Sequence, residues 1–303
     1  MSDVIVTEHR VVLVTGASTG FGRLMVEALA RRGHHVFAAL RDLSGRNAQA
    51  AAELATLAST EALDLQVVEL DVTDQSSADR AIEVVMASKG RIDVVVNNAG
   101  MIFPGPVEAF TAEEAHRQFD VNVLGALRVN RAALPHLRRQ GHGALIQIGS
   151  LSGRVTLPFG GLYAASKAAL GSLTEAWHHE LAPFGVESVI VDAASYPTNI
   201  GVNAAMPTDM ARMGAYGDSF SGYVTAIGER AAKLGGDPRV VSDAVVDLVE
   251  AADGHRRQWT IVAPTDQYEA VDHLAQQKAS AARTVGVDMG VDSFMASAEQ
   301  RVL

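Results

Sequence analysis

Seven short apolar runs, each separated from the next by a longer stretch, limit this chain to very few folds. The runs are 11–15 (VVLVT), 35–40 (HVFAAL), 66–70 (QVVEL), 92–96 (IDVVV), 144–148 (ALIQI), 186–191 (VESVIV) and 258–262 (QWTIV). Most are apolar along nearly their whole length. A strand with one wet face alternates apolar and polar residues, so these strands call for cover on both faces. The segments 21–32, 46–60, 75–89, 112–139, 162–183 and 240–252 read as helices and would supply that cover.

Strands that alternate with helices pair in parallel, and right-handed crossovers place helices on both faces of the sheet. The expectation is an α/β chain: one domain over 1–303, a Rossmann-like doubly wound parallel sheet of about seven strands. No repeat, low-complexity linker or shift of composition divides it. Two segments exceed the alternation. Residues 195–236 form an insertion too long for an ordinary connection. Residues 263–303 form a tail that either docks as a helix or stays partly mobile.

Composition removes several functions. Hydrophobic residues are 48% and charged residues 20% of the chain, enough for a large core. A net charge of −10 argues against a nucleic-acid surface, although a local nest of backbone N–H groups can still bind phosphate. With no cysteine there is no disulfide, thiolate metal site or cysteine nucleophile, and no other metal is expected. The start, MSDVIVTEHR, lacks the basic and apolar regions of a signal peptide. No apolar run reaches the roughly 18 residues of a membrane span. A soluble, cytoplasmic protein with no membrane partner is the expectation.

The run Thr15-Gly16-Ala17-Ser18-Thr19-Gly20-Phe21-Gly22 follows the first strand and opens a helix. Glycines there let the backbone approach a pyrophosphate whose charge sits at the helix N-terminus. The spacing is GxxxGxG rather than GxGxxG, and a plain strand-to-helix turn is the alternative. Tyr163 and Lys167 lie four apart on a helix, so they share a face. Ser150 ends a strand. Each is weak evidence alone, because YxxxK pairs and turn serines are common.

Together these residues resemble the classical short-chain dehydrogenase/reductase family. TGASTGFG is similar to its TGxxxGxG signature, Asn97-Asn98-Ala99-Gly100 to its NNAG motif, and Asn122 in FDVNVLG to its structural and relay asparagine. Ser150, Tyr163 and Lys167 match its catalytic serine and YxxxK pair, and Ser150 fits the spacing better than Ser152. The resemblance covers roughly residues 10–200. It implies ketone/alcohol interconversion by hydride transfer with a nicotinamide cofactor. Ser150 would hold the substrate oxygen, Tyr163 would act as acid or base, and Lys167 would hold the nicotinamide ribose. Asn122 would anchor a relay water. A phenol of ordinary pKa about 10 is a poor base near neutrality, and a nearby ammonium is expected to lower it.

The implied cofactor contacts are Gly16, Ser18, Thr19, Gly20, Phe21, Gly22, Arg41, Asp71, Val72, Asn98, Ala99, Gly100, Tyr163, Lys167 and Thr198. An acid at the end of the second strand would bind the ribose hydroxyls of NAD. Leu40 stands there, followed by Arg41, which favours NADP(H) over NAD(H). Alternatively Arg41 is a surface residue paired with Asp42, and Asp71 is either beside the adenine or an ordinary turn aspartate.

The large residues Met206, Met210, Met213, Tyr216, Phe220 and Tyr223 recur at helical spacing, as a lid or as core. With Met101, Ser150, Leu157 and Phe159, Met206 and Met210 are the expected substrate contacts, suited to a bulky apolar small molecule. VFAALRDLSGRN and LPFGGLYAASKAAL resemble the 17β-hydroxysteroid dehydrogenase branch. One departure stands out: the family's Pro-Gly after the sixth strand is Ala193-Ala194 here. The rival readings are a catalytically weak NADP(H) sensor, a structural subunit, and another reaction such as enoyl reduction. The intact Ser-Tyr-Lys set speaks against the sensor, its spacing favours the carbonyl/alcohol reaction over another one, and a structural role can coexist with catalysis. Family likeness implies a homodimer or homotetramer through the helices at 112–139 and 162–183.

Overall fold

The computed structural model describes residues 9–201, 204–234 and 236–299. Most of the stretch judged to lack a signal peptide therefore lies outside the described residues. So do 202–203 and 235 of the insertion and the end of the tail. The chain runs β1 (Val11–Thr15), α1 (Gly20–Arg31), β2 (His35–Leu40), α2 (Ala48–Thr60), β3 (Leu65–Glu69), α3 (Gln75–Lys89), β4 (Val94–Asn97). It continues through α4 (Ala112–Phe119), α5 (Gly125–Gln140), β5 (Gly143–Ile148), α6 (Gly161–Leu181), β6 (Val186–Ala193), α7 (Met210–Gly214) and α8 (Asp218–Leu234). Last come α9 (Arg239–Glu250), β7 (Trp259–Val262), α10 (Thr265–Asp288) and α11 (Asp292–Glu299).

All seven strands form one parallel sheet in the order β3-β2-β1-β4-β5-β6-β7. This is the doubly wound sheet that the apolar runs call for, with strand ends displaced by one or two residues. Successive side chains of a strand point to opposite faces, so each apolar run feeds two cores. Val12 and Val14 pack with Met25, Leu29, Val241 and Val245, from α1 and α9. Val11 and Leu13 pack with Ile82, Val129 and Leu137, from α3 and α5. At the foot of the sheet, the Val11 N–H donates to the buried Asp93 carboxylate at 2.7 Å, a bond between residues 82 apart in the chain. Strands are added outward from β1 in both directions, and the reversal between β1 and β4 leaves a crevice at their C-terminal ends.

Three elements differ from the sequence reading. The helix expected over 112–139 is α4 and α5 joined by a π-helical stretch, Asp120–Leu124. Widened turns of this kind concentrate at functional sites, and Asn122 sits at the centre of this one. The insertion holds two helices, α7 and α8, so the apolar stripe is not one helical face: Met206 precedes both. The tail docks, with α10 against β7 and α11 against α6. Among the described residues no helix is long and apolar enough to cross a membrane.

Candidate active site

A cavity of about 1120 Å³ opens at the C-terminal ends of the strands and runs from the glycine turn to Tyr163. The turn is built by tight backbone contact. Gly16 takes φ +67, a left-handed conformation that an L side chain rarely adopts. At Gly22 any Cβ would collide with the Gly16 carbonyl and the Asn98 side chain. The buried Thr15 hydroxyl accepts the N–H groups of Asn98 and Ala99, both at 3.0 Å. In return the Asn98 amide donates to the carbonyls of Thr15 (2.9 Å) and Gly16 (3.1 Å). Asn98 thus ties the end of β4 to the turn, and Thr15 is a partner that the motif reading passed over. The N-terminus of α1 carries no side-chain cap and no acid in its first turn, so its N–H groups keep the donor character that suits a phosphate.

At the other end of this trough lie Leu40, Arg41, Arg46 and Asp71. The Asp42 carboxylate accepts the Arg46 backbone N–H at 2.8 Å, and no Arg41–Asp42 ion pair occurs among the described residues. Arg41 is exposed. Asp71 is a turn aspartate, accepting the Thr73 N–H (2.9 Å) and hydroxyl (2.7 Å), and it lines the cavity as well. Glu53 also lines this end, with its carboxylate bonded to Arg23 and Gln49. Uncapped helix donors, the Ser18 and Thr19 hydroxyls and two guanidiniums make a donor set that fits a phosphorylated dinucleotide.

The reactive end gathers Ser150, Tyr163 and Lys167. Ser150 caps the 3₁₀ turn Leu151–Gly153, its hydroxyl accepting the Ser152 N–H at 3.1 Å. The Asn122 amide is fully engaged. It exchanges two bonds of 2.9 Å with the Met101 backbone and donates to the Ser166 hydroxyl at 3.0 Å. Asn122 Oδ1 and Lys167 Nζ both border Gly100, 3.5 and 3.8 Å from where a Cβ would stand there. Lys167 Nζ donates to the Ile148 carbonyl at 2.7 Å and lies 5.8 Å from the Tyr163 ring centre.

These placements correct one expectation. Burial pushes the Tyr163 phenol up to about 12, against a hydrogen bond with Ser150 that pulls it down, and the charge of Asp192 adds to the rise. Burial also pushes Lys167 down to about 8, with Asp192 opposing. The ammonium rests on a carbonyl rather than on the phenol oxygen, and burial favours the protonated form of the Tyr163 phenol.

On the substrate side, Met101 and Leu157 line the cavity, while Phe159, Met206 and Met210 do not. Phe159 instead sits at φ 58 in an aromatic cluster with Tyr216, Phe220 and Tyr223. Met206 and Met210 are 46% and 68% exposed, away from the cavity wall. The wall is completed by Tyr223, the one member of the large-residue stripe that lines it, and by Tyr196, Ile227 and Gln267, Ala270 and Val271 of α10, which carried no signal in the sequence. Val155, Leu157, Ile200 and Ile227 form an exposed apolar rim. Thr198 lies against the glycine turn, 3.5 Å from where a Gly20 Cβ would stand. Ala194 continues the ladder, its N–H donating to Val262 at 2.9 Å. The non-glycine residues of positive φ among those described are Asp42, Ala62 and Phe159, so the turn at Ala193-Ala194 makes no demand for glycine.

A family model described as short chain dehydrogenase matches residues 10–208, and the chain belongs to that family. It is 30% identical to a 3-ketodihydrosphingosine reductase of Bacteroides thetaiotaomicron, over 80% of this chain and 84% of that protein. It is 39% identical to human 17-beta-hydroxysteroid dehydrogenase type 1, over 62% of this chain and 57% of that protein. Among solved structures, a short-chain dehydrogenase from Streptomyces avermitilis superposes with a TM-score of 0.74 at 30% identity, covering 94% of this chain and 100% of that one. The chain is thus a dehydrogenase/reductase of a family that acts on CH–OH groups and binds NAD(P).

Proposed function

We propose that the protein interconverts a bulky apolar ketone and the corresponding secondary alcohol with NADP(H), with Tyr163 as the acid/base. The observation that carries this reading is one continuous cavity with Ser150, Tyr163 and Lys167 at one end and Arg41 at the other. When bound, the cofactor supplies or accepts the hydride. Gly16, Gly20, Phe21 and Gly22 with the uncapped end of α1 hold its pyrophosphate. Ser18, Thr19 and Arg41 hold the 2′-phosphate, and Asp71 and Val72 flank the adenine. Asn98, Ala99, Gly100, Lys167 and Thr198 bound the nicotinamide end.

In reduction, Ser150 holds the ketone oxygen by a hydrogen bond and Tyr163 donates its proton to that oxygen. Oxidation reverses the transfer, and Tyr163 takes the alcohol proton. Asn122 keeps Met101 and the β4 loop in place beside Lys167. The apolar rim of Val155, Leu157, Ile200 and Ile227 supports a large hydrophobic substrate. Two relatives named for ketone or hydroxysteroid chemistry, a 3-ketodihydrosphingosine reductase and a 17-beta-hydroxysteroid dehydrogenase, support the same class. The same reading makes it one domain, cytoplasmic, and a homodimer or homotetramer.

The test is a panel of aliphatic, aryl and polycyclic ketones and secondary alcohols with NADPH, NADH, NADP and NAD, followed by nicotinamide absorbance. Turnover with NADPH that disappears in Tyr163→Phe is the expected result. Turnover that survives this change ends the mechanism.

A further inference from the structure

Asp192 stands at the C-terminal end of β6, buried, with its carboxylate against the Ser150 backbone. Its carboxylate oxygens are divided between two partners. Oδ1 accepts the Ser150 backbone N–H at 3.1 Å, and Oδ2 accepts Arg154 Nε at 2.8 Å. Arg154 closes the turn Leu151–Gly153 that Ser150 opens, so the carboxylate grips that turn at both ends.

Arg154 is itself fixed from other elements. Its guanidinium lies 4.7 Å over the Trp259 ring of β7 and 3.5 Å from Glu175 of α6, which Lys278 of α10 meets at 2.6 Å. The charged and titratable groups around Asp192 are therefore Arg154 on the loop, Tyr163, Lys167 and Glu175 on α6, and Lys278 on α10. A buried ion pair is a poor source of stability, because desolvation offsets much of the attraction. This one needs another explanation.

Building on the oxidoreductase reading above, we propose that Asp192, clamped by Arg154, is a positioning residue: it fixes the Ser150 backbone and sets a carboxylate charge behind Tyr163 and Lys167. The charge favours cationic Lys167 against the burial that pushes it to about 8, and it disfavours loss of the Tyr163 proton. Both effects keep the pair in the form that donates a proton to a ketone oxygen. Arg154 in turn opposes the burial that raises the Asp192 carboxyl.

The test uses the full chain in two measurements. The first is an NMR pH titration of isotope-labelled lysines in the cofactor-free protein. Lys167 is distinguished from Lys89, Lys233 and Lys278 by the signal lost in Lys167→Arg. The second is kcat and KM for NADPH-dependent reduction of α-tetralone or another ketone that the panel shows to be reduced. In Asp192→Asn the Lys167 titration should move down by about one pH unit. Its kcat should fall about tenfold while KM stays within about threefold, as misplacement of a catalytic group predicts. An unmoved Lys167 titration overturns the proposal.

Should Asp192→Asn fail to fold, Arg154→Lys keeps the charge and loses the planar fork. It should leave the Lys167 titration in place and lower kcat about fivefold, and an unchanged kcat overturns the proposal. A wild-type protein that turns over no ketone or alcohol removes the oxidoreductase reading and this proposal with it. An active wild type and an inactive Tyr163→Phe, beside an Asp192→Asn with wild-type titration and kcat, overturn this proposal alone.

Discussion

The glycine turn and the catalytic corner are held by polar bonds, whereas the wall contributed by α8 and α10 is held by apolar contact. In the first region the key polar side chains are paired: Thr15 with Asn98 and Ala99, Asn122 with Met101, Lys167 with Ile148. In the second, Tyr223, Ile227 and Val271 offer surface and little direction. Hydrogen bonds specify geometry to fractions of an ångström, and apolar walls specify mainly volume. The difference teaches where variation is tolerated. The proposed function assigns chemistry to the hydrogen-bonded region and substrate choice to the apolar one.

The largest effect that could break this division is at Tyr163. Tyr163→Phe should lower turnover about a thousandfold for every substrate, within the range for loss of a general acid. A loss confined to bulky substrates would assign Tyr163 to binding. The same residue sets a pH signature. Because the protein raises its pKa to about 12, the phenol stays protonated across the neutral range. Reduction should therefore hold level up to alkaline pH, and oxidation, which needs the deprotonated form, should climb with pH. Rate profiles in both directions check the sign.

A smaller effect is expected at Arg41, in the rigid region but away from the chemistry. Arg41→Ala should raise KM for NADPH about tenfold relative to NADH, roughly 1.4 kcal/mol, with kcat near wild type. An unaltered NADPH/NADH ratio would return Arg41 to the solvated surface. In the apolar wall, Ile227→Ser should raise KM several-fold for large hydrophobic ketones and leave small ones unaffected, as loss of roughly 1 kcal/mol of apolar burial requires. Equal losses for small and large substrates would erase the division. The smallest change is at Ala194→Gly. Turnover should be unchanged and stability lower by about 0.5–1 kcal/mol in a chemical denaturation curve, since the native backbone there makes no demand for glycine.

Much of the rigid region was legible in the sequence, because its constraints are local. A strand buried on both faces must be apolar throughout, and a helix entered at a tight turn selects glycine at Gly16 and Gly22. The gathering of Ser150, Tyr163 and Lys167 on one cavity was legible through their spacing and their likeness to a family. What escaped depends on distant pairings. Asp192 meets Arg154 across 38 residues, and nothing in either neighbourhood announces the other. The π-helical stretch around Asn122 interrupts a helical pattern without a proline or a glycine pair to mark it. The direction of the Tyr163 shift depends on burial and on where the Lys167 ammonium points, and i, i+4 spacing on a helix specifies neither. Val271 entered the cavity wall because α10 docks beside β7, a tertiary event that its own sequence does not encode locally.

The bond from Val11 to Asp93 has a bearing on how the chain comes to be folded at all. The central strand cannot acquire its second neighbour until β4 has been made, 82 residues later along the chain. During synthesis, at roughly 5–20 residues per second, β1 and β2 therefore spend several seconds with a naked apolar edge. That interval is where aggregation competes with closure of the sheet, and where a chaperone would have the most to protect.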